Sequence, residues 1–335
     1  LPSSSLSIFL VLIYLTFLKE LKSIFSFVNV FITISPVLAT MANPELAREA
    51  AGFYTSLLPD SRVTGTRTIT GTPSGDCEIV SFELWKMPFM AISAGPYFKF
   101  NPSLSFMINF DPSQDPDAES RIDAVWTRHA DCGTVLMPIQ EYPFSRRYGW
   151  IQDRYGLSWQ LILTSPEGEE RPPVIPSLLF VADNCGKAEE ASDFYLSVFK
   201  NSRRGAIARY PAGMDPDREG SVMFTDFKLD GRWFAAMDSG HRHDFMFTEA
   251  VSFIVNCGSQ EEIDYYWERL SSAPEAEQCG WVKDRYGVSW QIVPAALEEV
   301  PDVEDKDRDG DEVQRLGGDR GLPGLAEERE GRHPE

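Results

Sequence analysis

Three pairs of uncharged polar residues recur at matched places in this 335-residue chain: Asn109 and Asn256, Ser158 and Ser289, Gln160 and Gln291. The serines and glutamines sit in near-identical strings, "DRYGLSWQL" at 153–161 and "DRYGVSWQI" at 284–292. Amides and hydroxyls donate and accept hydrogen bonds without carrying charge at neutral pH. Converging on one concave surface, they suit a small polar-aromatic or carbonyl ligand. They suit equally well a structural task, the tying together of strand ends.

Other reactive residue types are sparser. His241 and His243, in "MDSGHRHDF" with Asp238 and Asp244, form the one metal-like cluster. On a strand, H-x-H would put both rings on one face. The string reads as a loop, however, and the matched stretch of the other half, "ISAGPYF", has no histidine. A polar loop near a pocket mouth is the expectation, with His241 and His243 as weak metal candidates. His129 is expected at a helix end or in a loop. The five cysteines are odd in number, widely spaced and free of C-x-x-C, which points to reduced thiols and excludes a zinc ribbon. Cys279, in "EQCGW", has no histidine close in sequence to activate it. "DKDRDGDE" at 305–312 begins like a calcium loop, but its twelfth position is Leu316 where a glutamate is required. No G-x-G-x-x-G occurs, so neither SAM nor NAD is expected.

The elements that position these residues are duplicated. Residues 34–62 align with 175–203 at an offset of 141, with eleven of 29 identical, including Glu49/Glu190, Phe53/Phe194 and Tyr54/Tyr195. The middle strands match at an offset of 147 and the closing strands at 131; the second copy lacks a counterpart of "GTVLMPIQEYPF". Each copy predicts a short strand (34–40; 174–181), a helix (44–58; 186–199) and three β-rich segments (61–70, 77–86, 88–93; 203–210, 220–229, 232–238). A further strand (104–110; 250–256), a helix (about 118–131; 259–271) and the strand carrying Ser-Trp-Gln complete it. The order is βαβββ twice per copy, weaker in the last quarter. Asn43 and Pro44 supply a helix start. Strand alternation puts Ser158 and Gln160 on one face and Leu157, Trp159 and Leu161 on the other. The tryptophan face is expected under the helices.

Composition bounds the rest. The net charge is −20; an acidic body with no basic stripe argues against nucleic acid. Residues 1–33 are apolar but interrupted by Lys19, Glu20 and Lys22. They lack the basic n-region of a signal peptide and the arginines of a presequence, and read as a targeting or membrane segment or as not native. Residues 297–335 read as an acidic disordered tail. The expected organisation is therefore 1–33, a domain at 34–165, a linker at 166–173, a domain at 174–296, and the tail. A cytoplasmic protein is expected, with membrane association through residues 1–40 as the alternative.

The strings "AREAAGFYTSLLPDSRV" and "AEEASDFYLSVFKNSRR", with "YGWIQDRYGLSWQL" and "CGWVKDRYGVSWQIVP", resemble the PhnB-like group of the vicinal oxygen chelate superfamily. Its members include glyoxalase I, bleomycin-resistance proteins and extradiol dioxygenases. PhnB-like domains often carry the label 3-demethylubiquinone-9 3-methyltransferase. The resemblance covers nearly all of 34–296. It implies an α+β fold of tandem domains, each of paired βαβββ modules whose mixed sheet curls into a cup around a small ligand, often over a metal. It also implies that two domains in one chain form an intramolecular pseudo-dimer, with homodimerisation as a further expectation. Metal-using relatives place a glutamate where this chain has Gln160 and Gln291. The opening and middle strands offer no His, Asp or Glu, so the two-His-one-carboxylate triad is absent. Small-molecule binding without that triad is the favoured reading. A metal-assisted isomerase, lyase or transferase, with a divalent metal recruited by His243 or Gln291, is the alternative. Methyl transfer is not expected. On this reading Gln160→Ala with Gln291→Ala abolishes binding and leaves thermal stability almost unchanged.

Overall fold

The structure, a computed structural model, describes residues 34–39, 44–72, 75–93, 98–165, 169–277 and 280–295. The predicted N-terminal segment, acidic tail and calcium-like string lie outside them, as do Asn43 and Cys279.

The first copy runs β1 (Ile34–Ala39), α1 (Pro44–Thr55), β2 (Arg62–Thr72), β3 (Gly75–Leu84) and β4 (Met87–Ile92). It continues with β5 (Leu104–Phe110), α2 (Ala118–Ala130), β6 (Thr134–Tyr142), β7 (Ser145–Gln152) and β8 (Ser158–Leu163). The second copy has β9 (Val174–Phe180), α3 (Ala188–Val198), β10 (Arg203–Arg209), β11 (Val222–Leu229) and β12 (Arg232–Asp238). Its last module is β13 (Val251–Cys257), α4 (Gln260–Leu270), β14 (Trp281–Lys283) and β15 (Ser289–Pro294). That module is one strand short. The string missing from the second copy is β6 in the first, and its place is taken by a single turn of 3-10 helix at Pro274–Ala276.

The strands form two mixed sheets, in the orders β14-β15-β13-β1-β4-β3-β2 and β10-β11-β12-β9-β5-β8-β7-β6. Neither sheet belongs to one copy. The seven-stranded sheet joins the first module of copy one to the last module of copy two through antiparallel β1 and β13. The eight-stranded sheet joins the remaining modules through antiparallel β5 and β9. β1 lies wholly before Met41 and is central in its sheet, paired on both edges.

Register corrects the alignment of the opening strands. Val37 faces Ser252, and Ser177 faces Ser105; since Ser105 and Ser252 are equivalent, Val37 matches Ser177, an offset of 140. The ungapped offset of 141 fails here, because a one-residue slip would turn every side chain of the strand to the wrong face. The extra residue falls between strand and helix, where Ala47 and Ala188 again match and are both fully buried.

One sheet face packs on the helices. In copy one Leu38, Phe82, Phe89, Phe106 and Trp159 join Ala47, Tyr54, Ile122 and Val125 in a single core. Phe82 stacks on Phe89 with ring centroids 5.4 Å apart, and Phe106 meets Phe89 edge to face at 5.0 Å. Copy two repeats the contact between Phe234 and Phe253 at 5.1 Å. The helical stripes bury because their apolar residues recur every three or four positions.

Candidate functional site

The repeated turn is built from Asp153 and Asp284. Asp284 Oδ1 accepts the backbone N–H of Tyr286 at 2.9 Å and of Val288 at 3.0 Å, an Asx turn that closes around Gly287 at φ 92°. Its Oδ2 accepts the Trp290 indole N–H at 2.9 Å and the Tyr195 hydroxyl at 2.7 Å. Burial pushes this carboxyl above the ordinary range, and the four hydrogen bonds pull it back. Asp153 repeats the bonds to Tyr155, Leu157 and Trp159. There the Tyr54 hydroxyl lies beside the carboxylate without a hydrogen bond of proper geometry.

The remaining letters of the string reach the first helix of the same copy. Tyr155 and Tyr286 donate to Glu49 and Glu190 at 2.8 and 2.9 Å. The guanidinium groups of Arg154 and Arg285 lie over Phe53 and Phe194, at 5.0 and 4.1 Å. The two sets of repeated residues are thus partners: the closing turn of each copy clasps its opening helix.

Ser158 and Gln160 point to the sheet face opposite the helices. There Gln160 Oε1 accepts the Tyr148 hydroxyl at 2.8 Å, and Nε2 donates to Ser105 Oγ at 2.9 Å and Ser177 Oγ at 3.4 Å. Ser158 Oγ accepts the Trp150 indole N–H at 2.7 Å. All four of Tyr148, Ser158, Gln160 and Ser177 are buried, and burial raises the Tyr148 pKa, keeping it a neutral donor. The surrounding wall is apolar, with Met107, Ile175, Trp233 and Ala235 packed together. Asn109 sits at the strand end instead, donating to the Pro172 carbonyl at 2.8 Å.

In the seven-stranded sheet the matched residues have fewer partners. Gln291 Nε2 donates to Ser252 Oγ at 2.8 Å, against three side-chain hydrogen bonds at Gln160. Ser289 Oγ is buried and has no hydrogen-bond partner. Trp281 holds the register position of Trp150, opposite the glutamine, yet makes no bond to Ser289. Asn256 is buried beside them on the same strand face as Ser252 and Ile254.

Sequence reasoning missed Tyr148, Ser105 and Ser177. The signal available was alternation in β5 and β7: Ser105 has the parity of Met107 and Asn109, and Tyr148 that of Trp150.

The histidines do not join these groups. His243 Nε2 lies 2.9 Å from Ser239 Oγ, and His241, largely exposed, is 3.7 Å from Asp217. Both stand in the loop after β12, as the sequence predicted. Among the described residues no group of three or more His, Cys, Asp or Glu could hold a metal ion. His129 occupies the last turn of α2 but is buried rather than peripheral, stacked on Trp159 at 5.3 Å and edge-on to Phe53 at 5.7 Å. Both ring nitrogens lack partners, and burial depresses the pKa to about 3. Cys77, Cys132, Cys185 and Cys257 are free thiols; burial lifts Cys77 and Cys257 to about 12, which suppresses nucleophilicity.

A catalytic metal does not fit the residues around Gln160. The Gln160 oxygen already receives an O–H donor, and its neighbours are hydroxyls and an amide with no anionic ligand. No helix among the described residues is long and apolar enough to cross a membrane.

Comparison with known proteins agrees with the duplicated architecture. The family profile described as 3-demethylubiquinone-9 3-methyltransferase matches twice, over residues 35–162 and 172–293. A PhnB protein from Bacillus cereus, described as a putative 3-demethylubiquinone-9 3-methyltransferase, is 32% identical, with 39% of this chain and 98% of that chain covered and a TM-score of 0.35. Glyoxalase I from Zea mays is 10% identical over 79% of this chain and 93% of its own, with a TM-score of 0.48. A dioxygenase-like protein from Bacillus subtilis is 12% identical over 76% and 83%, with a TM-score of 0.43. No curated protein matches. The chain belongs to the PhnB-like 3-demethylubiquinone-9 3-methyltransferase family, carried as two copies in tandem.

Proposed function

We propose that the protein binds a small polar or carbonyl-bearing molecule, and that the binding face is that of the seven-stranded sheet, at Ser289 and Gln291. The observation that carries this reading is the asymmetry between copies. Gln160 and Ser158 spend their hydrogen bonds on Tyr148, Ser105, Ser177 and Trp150. Ser289 Oγ is buried without a hydrogen-bond partner among the described residues, and Gln291 gives one bond, to Ser252, where Gln160 makes three. A buried polar atom left unpaired costs about 1–3 kcal/mol, so a ligand that completes the set is favoured there. Val37, Met90 and Ile254 supply the apolar surroundings.

The ligand would be held by neutral donors and acceptors, which favours binding over metal-assisted catalysis. Methyl transfer, named in the family description, finds no G-x-G-x-x-G string in this chain to hold SAM. Native mass spectrometry of freshly purified protein tests the reading. A copurified organic molecule, lost in Ser289→Ala/Gln291→Ala and kept in Ser158→Ala, is the expected result. Stoichiometric divalent metal retained by the wild-type protein would instead support the enzyme reading.

A further inference from the structure

A cavity of about 220 Å³ lies away from both glutamines, between the two sheets. Pro36 of β1 and Pro176 of β9 face it from opposite copies, as do Met87 at the start of β4 and Arg232 at the start of β12. These are equivalent positions, so the cavity straddles the approximate two-fold relation between the copies. Lys86 also lines it, its ammonium paired with Asp60 at 3.3 Å; the other walls are apolar, with Trp85 and Phe253 among them.

Two features break that symmetry. The first is charge: where copy one has Met87, copy two has Arg232. The guanidinium is half-buried and makes no hydrogen bond or ion pair among the described residues. Asp230 acts on it only through space, with its own carboxylate taken by Asn201 at 3.2 Å. In a chain of net charge −20, a half-buried cation without a counter-ion is anomalous, because burying charge is unfavourable unless it is paired. The second is strain. Trp85 and Lys86 form the β3–β4 turn at φ 48° and 68°; the matched turn is Asp230-Gly231, at 46° and 79°. A bulky residue in the left-handed region is a genuine outlier, and such outliers cluster where a side chain must be aimed. Trp85 lines the cavity that Arg232 also lines, with its indole edge-on to Phe110 at 5.8 Å.

We propose that this cavity binds a small aromatic carboxylate. The planar guanidinium pairs with the carboxylate through two parallel N–H···O bonds, and Trp85 and the prolines enclose the ring. The volume suits one or two rings, below the usual range for drug-sized ligands. This site is separate from the sheet face that carries Ser289 and Gln291.

Ligand-observed fluorine NMR on the full chain, with 4-fluorobenzoate and 4-fluorobenzamide as probes, tests it. The wild-type protein binds the carboxylate about tenfold or more tighter than the amide, the usual gain from one charge-assisted pair. Arg232→Met installs the residue that copy one uses at this position and abolishes that preference; Arg232→Lys keeps the charge, loses the fork and retains a reduced preference. Gln291→Ala changes neither affinity, which separates this site from the proposed sheet-face site. Absence of saturable 4-fluorobenzoate binding, or equal affinity in the wild-type and Arg232→Met proteins, would overturn the proposal.

Discussion

Asp284 Oδ2 holds the indole N–H of Trp290 at 2.9 Å, six residues further along the chain, and Asp153 holds Trp159 in the same way at 2.8 Å. The aspartate closes the turn and the tryptophan anchors the strand that leaves it. The string occurs twice because each copy needs this clasp between its closing turn and its opening helix.

Removing the clasp therefore costs stability. Asp284→Ala strands an indole N–H, two backbone N–H groups and the Tyr195 hydroxyl, a loss of about 3 kcal/mol or more. Tyr195→Phe removes one of those bonds, at about 1 kcal/mol, and Tyr54→Phe costs less, since Tyr54 makes no such bond. Urea denaturation of the three variants gives the order; equal losses for Tyr54→Phe and Tyr195→Phe would contradict it.

The two glutamines respond differently to truncation. Gln160→Ala leaves Tyr148, Ser105 and Ser177 without their buried partner, at about 1–3 kcal/mol. Gln291→Ala strands only Ser252 and is expected to cost about 1 kcal/mol. From these bonds a fall in melting temperature, concentrated in Gln160, is expected in place of unchanged stability. Calorimetry beside native mass spectrometry separates the roles: stability lost at 160, ligand lost at 291.

His129 makes stability depend on pH. Its ordinary pKa of 6.5 is depressed to about 3 in the folded state, so the unfolded chain takes up a proton that the folded core refuses. The stabilisation is complete above pH 6.5 and is lost as pH falls towards 3, with a slope of at most about 1.4 kcal/mol per pH unit. His129→Phe, which keeps the ring stack, should flatten the urea midpoint across that window. An unchanged pH profile would show that the ring is not the cause.

Exchange of modules between the copies predicts the behaviour of a half-chain. A fragment of residues 34–165 loses both β13, the partner of β1, and β9, the partner of β5. Two such fragments can restore both pairings by placing β1 of one against β5 of the other, so the fragment is expected to elute as a dimer in light-scattering chromatography. A stable, folded monomer would mean that one copy closes on itself.

Much of this architecture was legible because it is local. Helical spacing located α1, but of the stripe it marks, Leu46, Ala50, Phe53 and Leu57, only Ala50 is fully buried, and Ala47 and Tyr54 take the core positions instead; alternation separated Trp159 from Gln160 across the strand. The β6–β7 hairpin was harder to read: β6 is an exposed edge strand, and its mixed pattern carries no clean alternation. The one-residue offset of the opening strand was invisible because similar apolar residues match in either register.

The sequence by itself determined the duplication and the order of elements, since these depend on residue type and short-range spacing. Only the tertiary structure decided which strands pair and which polar groups are completed. β1 meets β13 and β5 meets β9 across long stretches of chain, and Gln160 draws partners from β5, β7 and β9. Such pairings are chosen by the burial of whole sheet faces, a property of the assembled chain that no single segment carries.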